Sequence, residues 1–160
     1  MKVIDILNKS DKAVFSFELV PPLKEGDINK IYEAIEPLIA LAPPFINITF
    51  HRDELEYREL PDGTIKKVTV TKRPGTVALA AAIMRRYNVD MVPHIVCGGA
   101  TRHKIENELI DLNFLDIENI MALRGDPIPG QRFFSPEEDG HKYSCELVEQ
   151  IYRMNHGQYL

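Results

Sequence analysis

The chain has 160 residues, 44% of them hydrophobic, with 24 acidic against 19 basic side chains and a net charge of −5. That is enough apolar material for one ordinary domain, which excludes a disordered chain, and the acidic, well-mixed charge excludes nucleic-acid binding driven mainly by electrostatics. No apolar run approaches the roughly 20 residues that span a bilayer, so no membrane partner is expected.

The N-terminus lacks a signal-peptide core, which predicts a cytoplasmic protein. Cys97 and Cys145 lie far apart and fit neither a disulfide framework nor paired zinc spacing, which predicts reduced thiols.

In chain order, residues 13–20 read as a strand stopped by Pro21-Pro22, after which Asp27 can cap a helix with Ile28, Ile31, Ile35, Leu38 and Ile39 at helical spacing. Residues 45–50 form a second strand. Its unit is interrupted before the helix of about 76–87. There, residues 55–70 carry two β-prone arms around Asp62-Gly63, predicting a surface hairpin within 53–72 or, alternatively, a flexible excursion. Residues 91–97 form a third strand, followed by Gly98-Gly99 and a helix capped by Thr101 with Ile105, Leu109 and Leu112 on one face. Residues 117–123 form a fourth, and a long loop leads to a last helix over 145–154.

Repeated βα units predict a parallel sheet with helices outside. The first strand ends in Pro21-Pro22, where a dinucleotide fold would place its Gly-x-Gly-x-x-Gly turn, so a TIM barrel is preferred over an open doubly wound sheet. Four strands are about the first four of eight.

In such a barrel the C-terminal strand ends converge on one face, which should gather Glu18, Thr49 with His51, His94 with Cys97, and Arg124 with Asp126. Glu18 sits among Phe15, Phe17, Leu19 and Val20, where desolvation would raise its pKa toward that of a general acid; the alternative is a buried ion pair. His94 is either a core histidine or a ligand contact. A zinc site from His51, His94, Cys97 and His103 matches no known ligand spacing, so no metal is expected. Arg124-Gly125-Asp126 is either a local ion pair at a turn or a place where another molecule approaches the backbone.

Four segments together resemble the methylenetetrahydrofolate reductase family. They are Phe15-Ser-Phe-Glu18-Leu-Val-Pro-Pro22, matching its F-E-x-x-P-P element, Phe45-Ile-Asn-Ile-Thr49-Phe, Pro93-His94, and Ala122-Leu-Arg-Gly-Asp126-x-x-Pro-Gly130. The resemblance covers nearly the whole chain and about the N-terminal half of the family's barrel. It departs at Phe50-His51-Arg52, which replaces a Tyr-Gly-like turn, and in the longer 51–75 segment.

The resemblance implies FAD at the barrel mouth, NADH or NADPH as hydride source, and reduction of 5,10-methylenetetrahydrofolate to 5-methyltetrahydrofolate in one-carbon metabolism. Glu18 matches the general acid that protonates the folate so its five-membered ring opens to an iminium. Asp126 matches the carboxylate that contacts the pterin and tunes the flavin. Thr49 matches a position at the reactive edge of the isoalloxazine, beside the substrate. Phe50, His94, Arg124, Gly125, Tyr143 and Ser144 match further FAD contacts.

Residues 1–160 would then be the N-terminal portion of one (βα)8 catalytic domain, a fragment with little activity alone that exposes sheet edges and forms a homo-oligomer. A half-barrel interaction module without catalysis, or an unrelated barrel hydrolase or lyase, are the alternatives.

Overall fold

The computed structural model describes residues 1–127 and 131–160. Its centre is a four-stranded parallel sheet of β1 (Phe17–Leu19), β2 (Phe45–Ile48), β5 (Asp90–Val96) and β6 (Met121–Leu123), in that spatial order. Helices α2 (Ile28–Ile39), α3 (Thr76–Tyr87), α4 (Arg102–Phe114) and α5 (Ser144–Asn155) alternate with the strands. Four βα units in sequence, each strand parallel to its neighbour, are the α/β barrel pattern expected above.

Strand periodicity explains where the core lies. Successive side chains point to opposite faces, so Ile46 and Ile48 of β2 and Met91 and Ile95 of β5 meet Ile35, Leu79, Ala80, Ile83, Ile105, Leu112 and Leu147 from the helices in one buried cluster. Glu18, Asn47, Val92 and His94 take the other face, with Glu18 beside Asn47 and Asn47 beside Val92 in the register.

Helix ends follow the residues expected of them. Asp27 caps α2 by accepting the backbone N–H of Asn29, and the Thr101 hydroxyl accepts that of Lys104 at the start of α4. Asn88 ends α3 in the left-handed conformation that asparagine tolerates better than most residues.

The hairpin is formed as expected. Strands β3 (Glu54–Glu59) and β4 (Ile65–Val70) pair antiparallel, and Asp62 accepts hydrogen bonds from the backbone and hydroxyl of Thr64 at its tip. Its base is tied to the body where Lys24 N–H donates to Lys72 C=O, while Lys72 also pairs with Glu56.

Four elements differ from expectation, the second strand by ending at Ile48 and not at residue 50. The first strand is shorter than 13–20, because only residues 17–19 find partners on β2. The fourth is shorter than 117–123, and Ile117 is buried in the preceding turn instead. A helix that the sequence patterning did not announce, α1 (Val3–Lys9), lies near the N-terminal strand ends, where Val3 N–H donates to the side chain of Asn119.

Candidate functional site

The strand ends that carry the candidate residues form one rim. Thr49 follows β2, and its backbone N–H and its hydroxyl both donate to the carbonyl of Leu19, 3.0 and 3.2 Å away. The hydroxyl also lies 3.1 Å from His51 Nε2. One hydroxyl proton cannot serve both partners, so when it goes to Leu19 the imidazole is the donor to Thr49. Phe50 is half-buried beside it.

Glu18 and His94 meet on the face of the sheet turned away from the helices. His94 Nε2 lies 3.6 Å from Glu18 Oε2, beyond a hydrogen bond; the imidazole is 6% exposed and the carboxylate 56%. Glu18 is therefore not desolvated by its apolar neighbours. The reason is the pleat, since Phe17 and Leu19 point toward the helices and Glu18 points away from them. Among the described residues His94 Nε2 has no hydrogen-bond partner, which leaves a buried polar atom turned toward this face.

Burial holds the His94 pKa below the ordinary histidine value, and the Glu18 carboxylate opposes this only in part. His51 is lowered too, first by burial and then by the charge of Arg73. Both rings resist protonation in the folded state more than in the unfolded one. Stability from this source is complete above the unfolded value of about 6.5 and is lost as pH falls below it, because the unfolded chain takes up the protons first. We expect the melting temperature to fall between pH 7.5 and pH 5.5, with a shallower fall in His94→Asn; equal slopes in the two proteins would exclude His94 as the source.

At the end of β6 the ladder continues for two bonds, Cys97 N–H to Leu123 C=O and Gly98 N–H to Arg124 C=O. Arg124 is exposed, with its guanidinium over the ring of Phe134 at 5.3 Å and Nε donating to Gly125 C=O. Gly125 has φ +83°, a conformation that L side chains rarely adopt. Asp126 is exposed on the loop that follows. Pro129 and Gly130 of the sequence motif lie outside the described residues.

Tyr143 and Ser144 stand at the start of α5, joined to the end of β5 by the Cys97 thiol, 3.6 Å from Tyr143 C=O. Backbone N–H groups of Lys142 and Tyr143 donate to the Glu146 carboxylate and hold its pKa down. Cys97 faces the helices and His94 the opposite side, while His103 lies on α4 beside Asn107. Among the described residues, no three His, Cys, Asp or Glu side chains come together in a group that could hold a metal ion. No described helix is long and apolar enough to cross a membrane.

Sequence reasoning missed one residue at this rim. Arg52 Nη2 donates to the Asp126 carbonyl at 2.6 Å, bridging the exits of β2 and β6. The signal available was only the break in pattern at residues 50–52.

Comparison with known proteins decides the relationship. The family described as methylenetetrahydrofolate reductase matches residues 2–160. The chain belongs to this family. Its four parallel βα units are accordingly part of a TIM-barrel fold.

The chain is 28% identical to methylenetetrahydrofolate reductase (NADH) 1 of Arabidopsis thaliana over 162 residues, covering 99% of this chain and 24% of that protein. It is 28% identical over 149 residues to 5,10-methylenetetrahydrofolate reductase of Escherichia coli, covering 90% of this chain and 43% of that protein. The corresponding protein of Salmonella typhimurium is 28% identical over 133 residues, covering 83% and 38%. The chain thus spans between about a quarter and less than half of the length of these relatives.

Proposed function

We propose that this chain takes part in the flavin-dependent reduction of 5,10-methylenetetrahydrofolate to 5-methyltetrahydrofolate, with NADH or NADPH as hydride source. The observation that carries the reading is the placing of an accessible carboxylate, Glu18, 3.6 Å from a buried histidine, His94, on the face of a family-matched parallel sheet turned away from the helices. Residues 1–160 are read as the N-terminal portion of a single (βα)8 catalytic domain, in a cytoplasmic homo-oligomer.

The rim suits FAD on chemical grounds. Thr49, Phe50, His94, Arg124, Gly125, Asp126, Tyr143 and Ser144 would hold it, offering hydroxyls, a cation, aromatic faces and a glycine that permits close backbone approach. When bound, FAD supplies the two-electron carrier between nicotinamide and folate.

The protein's own groups then have separate tasks. Glu18, at the position that matches the family's general acid, is accessible from the rim and delivers a proton to a substrate nitrogen. His94, kept neutral by burial, presents it with a hydrogen-bonding ring and not a fixed cation. Asp126 accepts hydrogen bonds from the pterin, and Thr49 stands between substrate and cofactor.

The test is a visible absorption spectrum of the purified complete catalytic domain, of which residues 1–160 are read as the N-terminal portion, after FAD is added and the excess removed by gel filtration. Retained flavin bands that bleach anaerobically with NADH or NADPH and return on adding methylenetetrahydrofolate are expected. A folded protein that retains no flavin, or whose reduced flavin ignores the folate, would overturn the reading.

A further inference from the structure

The bridge made by Arg52 has a purpose that depends on two glycines. Arg52 leaves the end of β2, passes the end of β5 and reaches the loop after β6, where Nη2 donates to the Asp126 carbonyl. A Cβ built on Gly98 would fall 2.5 Å from Arg52 Nη2 and 3.2 Å from both its Cζ and Phe134 Cε2. A Cβ on Gly125 would fall 3.3 Å from the same Nη2. The guanidinium is seated in a slot whose walls are backbone at both positions.

The place where this happens matters. The ladder between β5 and β6 closes with Gly98 N–H to Arg124 C=O. Beyond Arg124, among the described residues, no strand partner holds the loop, and the Asp126 carbonyl is held by Arg52. On the other side, Arg124 stacks over Phe134, the ring that also borders the Gly98 slot. A flat guanidinium can lie between two peptide backbones and still donate in its plane, which a lysine ammonium cannot do.

We propose that Arg52 is a positioning residue that locks Asp126 across the rim, and that the missing side chain of Gly98 leaves the room in which it is seated. This rests on the reading of Asp126 as a substrate contact. It assigns to Arg52 a part in substrate binding.

The experiment places Arg52→Ala, Arg52→Lys, Gly98→Ala and the Arg52→Ala/Gly98→Ala double variant in the complete catalytic domain, with kcat, KM for methylenetetrahydrofolate, flavin content and melting temperature measured on each. Arg52→Ala is expected to raise KM by about tenfold or more through misplacement of Asp126, with flavin content retained. Arg52→Lys should recover only part of this. Gly98→Ala keeps the arginine but fills its seat, so it should reproduce the defect. The double variant should be no worse than either single one, since both remove the same contact.

An unchanged KM in Arg52→Ala, or defects that multiply in the double variant, would overturn the clamp. If the wild-type protein itself does not turn over methylenetetrahydrofolate, the reductase reading fails separately. The clamp then stands or falls on melting temperature: Gly98→Ala must destabilise the wild type more than it destabilises Arg52→Ala.

Discussion

On the proposed reductase reading, Glu18→Gln in the complete catalytic domain is expected to lower turnover of methylenetetrahydrofolate by about 10²- to 10⁴-fold, the range typical of removing a positioned general acid. Glutamine keeps the shape and can still face His94, but it has no acidic proton to give. The Glu18 side chain is 56% exposed on an edge strand, so the exchange removes no core packing and the protein should stay folded. Following the two half-reactions separately makes the test specific. Reduction of the flavin by NADH or NADPH should be little changed, because the proton is needed only by the folate. If both half-reactions slow together, or neither does, Glu18 is not the acid.

Ile46→Ala carries the largest expected cost in stability. Ile46 has 0% exposure in β2, a strand paired on both sides, and belongs to the cluster between sheet and helices. Truncating it removes buried methyl and methylene groups and leaves a cavity, for about 2–5 kcal/mol. At this chain length each kcal/mol moves the melting temperature by roughly 2–4 °C, so a fall of about 4–20 °C is expected by calorimetry. Phe114→Ala provides the contrast: its ring is 82% exposed at the end of α4 and should cost less than about 0.5 kcal/mol. Similar losses in the two variants would mean that the assignment of inner and outer faces is wrong.

The sequence was most legible where periodicity and punctuation agree. Helix α3 occupies residues 76–87 as read, the hairpin forms around Asp62-Gly63, and Thr101 caps α4. The expectation for Glu18 shows how neighbours mislead. Apolar residues on either side of it predicted burial, yet alternation in a strand sends adjacent side chains to opposite faces. Helix α1 was illegible for another reason. It has no side-chain cap, and Ile4 and Leu7 stay exposed, so contacts such as that of Val3 with Asn119 hold it. Arg52 could be seen as a break in pattern, but its partners Gly98 and Asp126 are distant in sequence and only the fold brings them together.

The hairpin also bears on how the chain reaches its native state. Pairing Glu54 with Val70 needs only local contacts and can form in about 1–10 μs, whereas the parallel pairing of Ile46 with Met91 must close a loop of roughly 45 residues. Once formed, the hairpin shortens that loop by about a third, lowering its closure cost by roughly 0.4 kcal/mol. The inserted segment therefore delays the meeting of β2 and β5 less than an unstructured insertion of the same length would, and a substitution that melts the hairpin would be felt in the refolding rate.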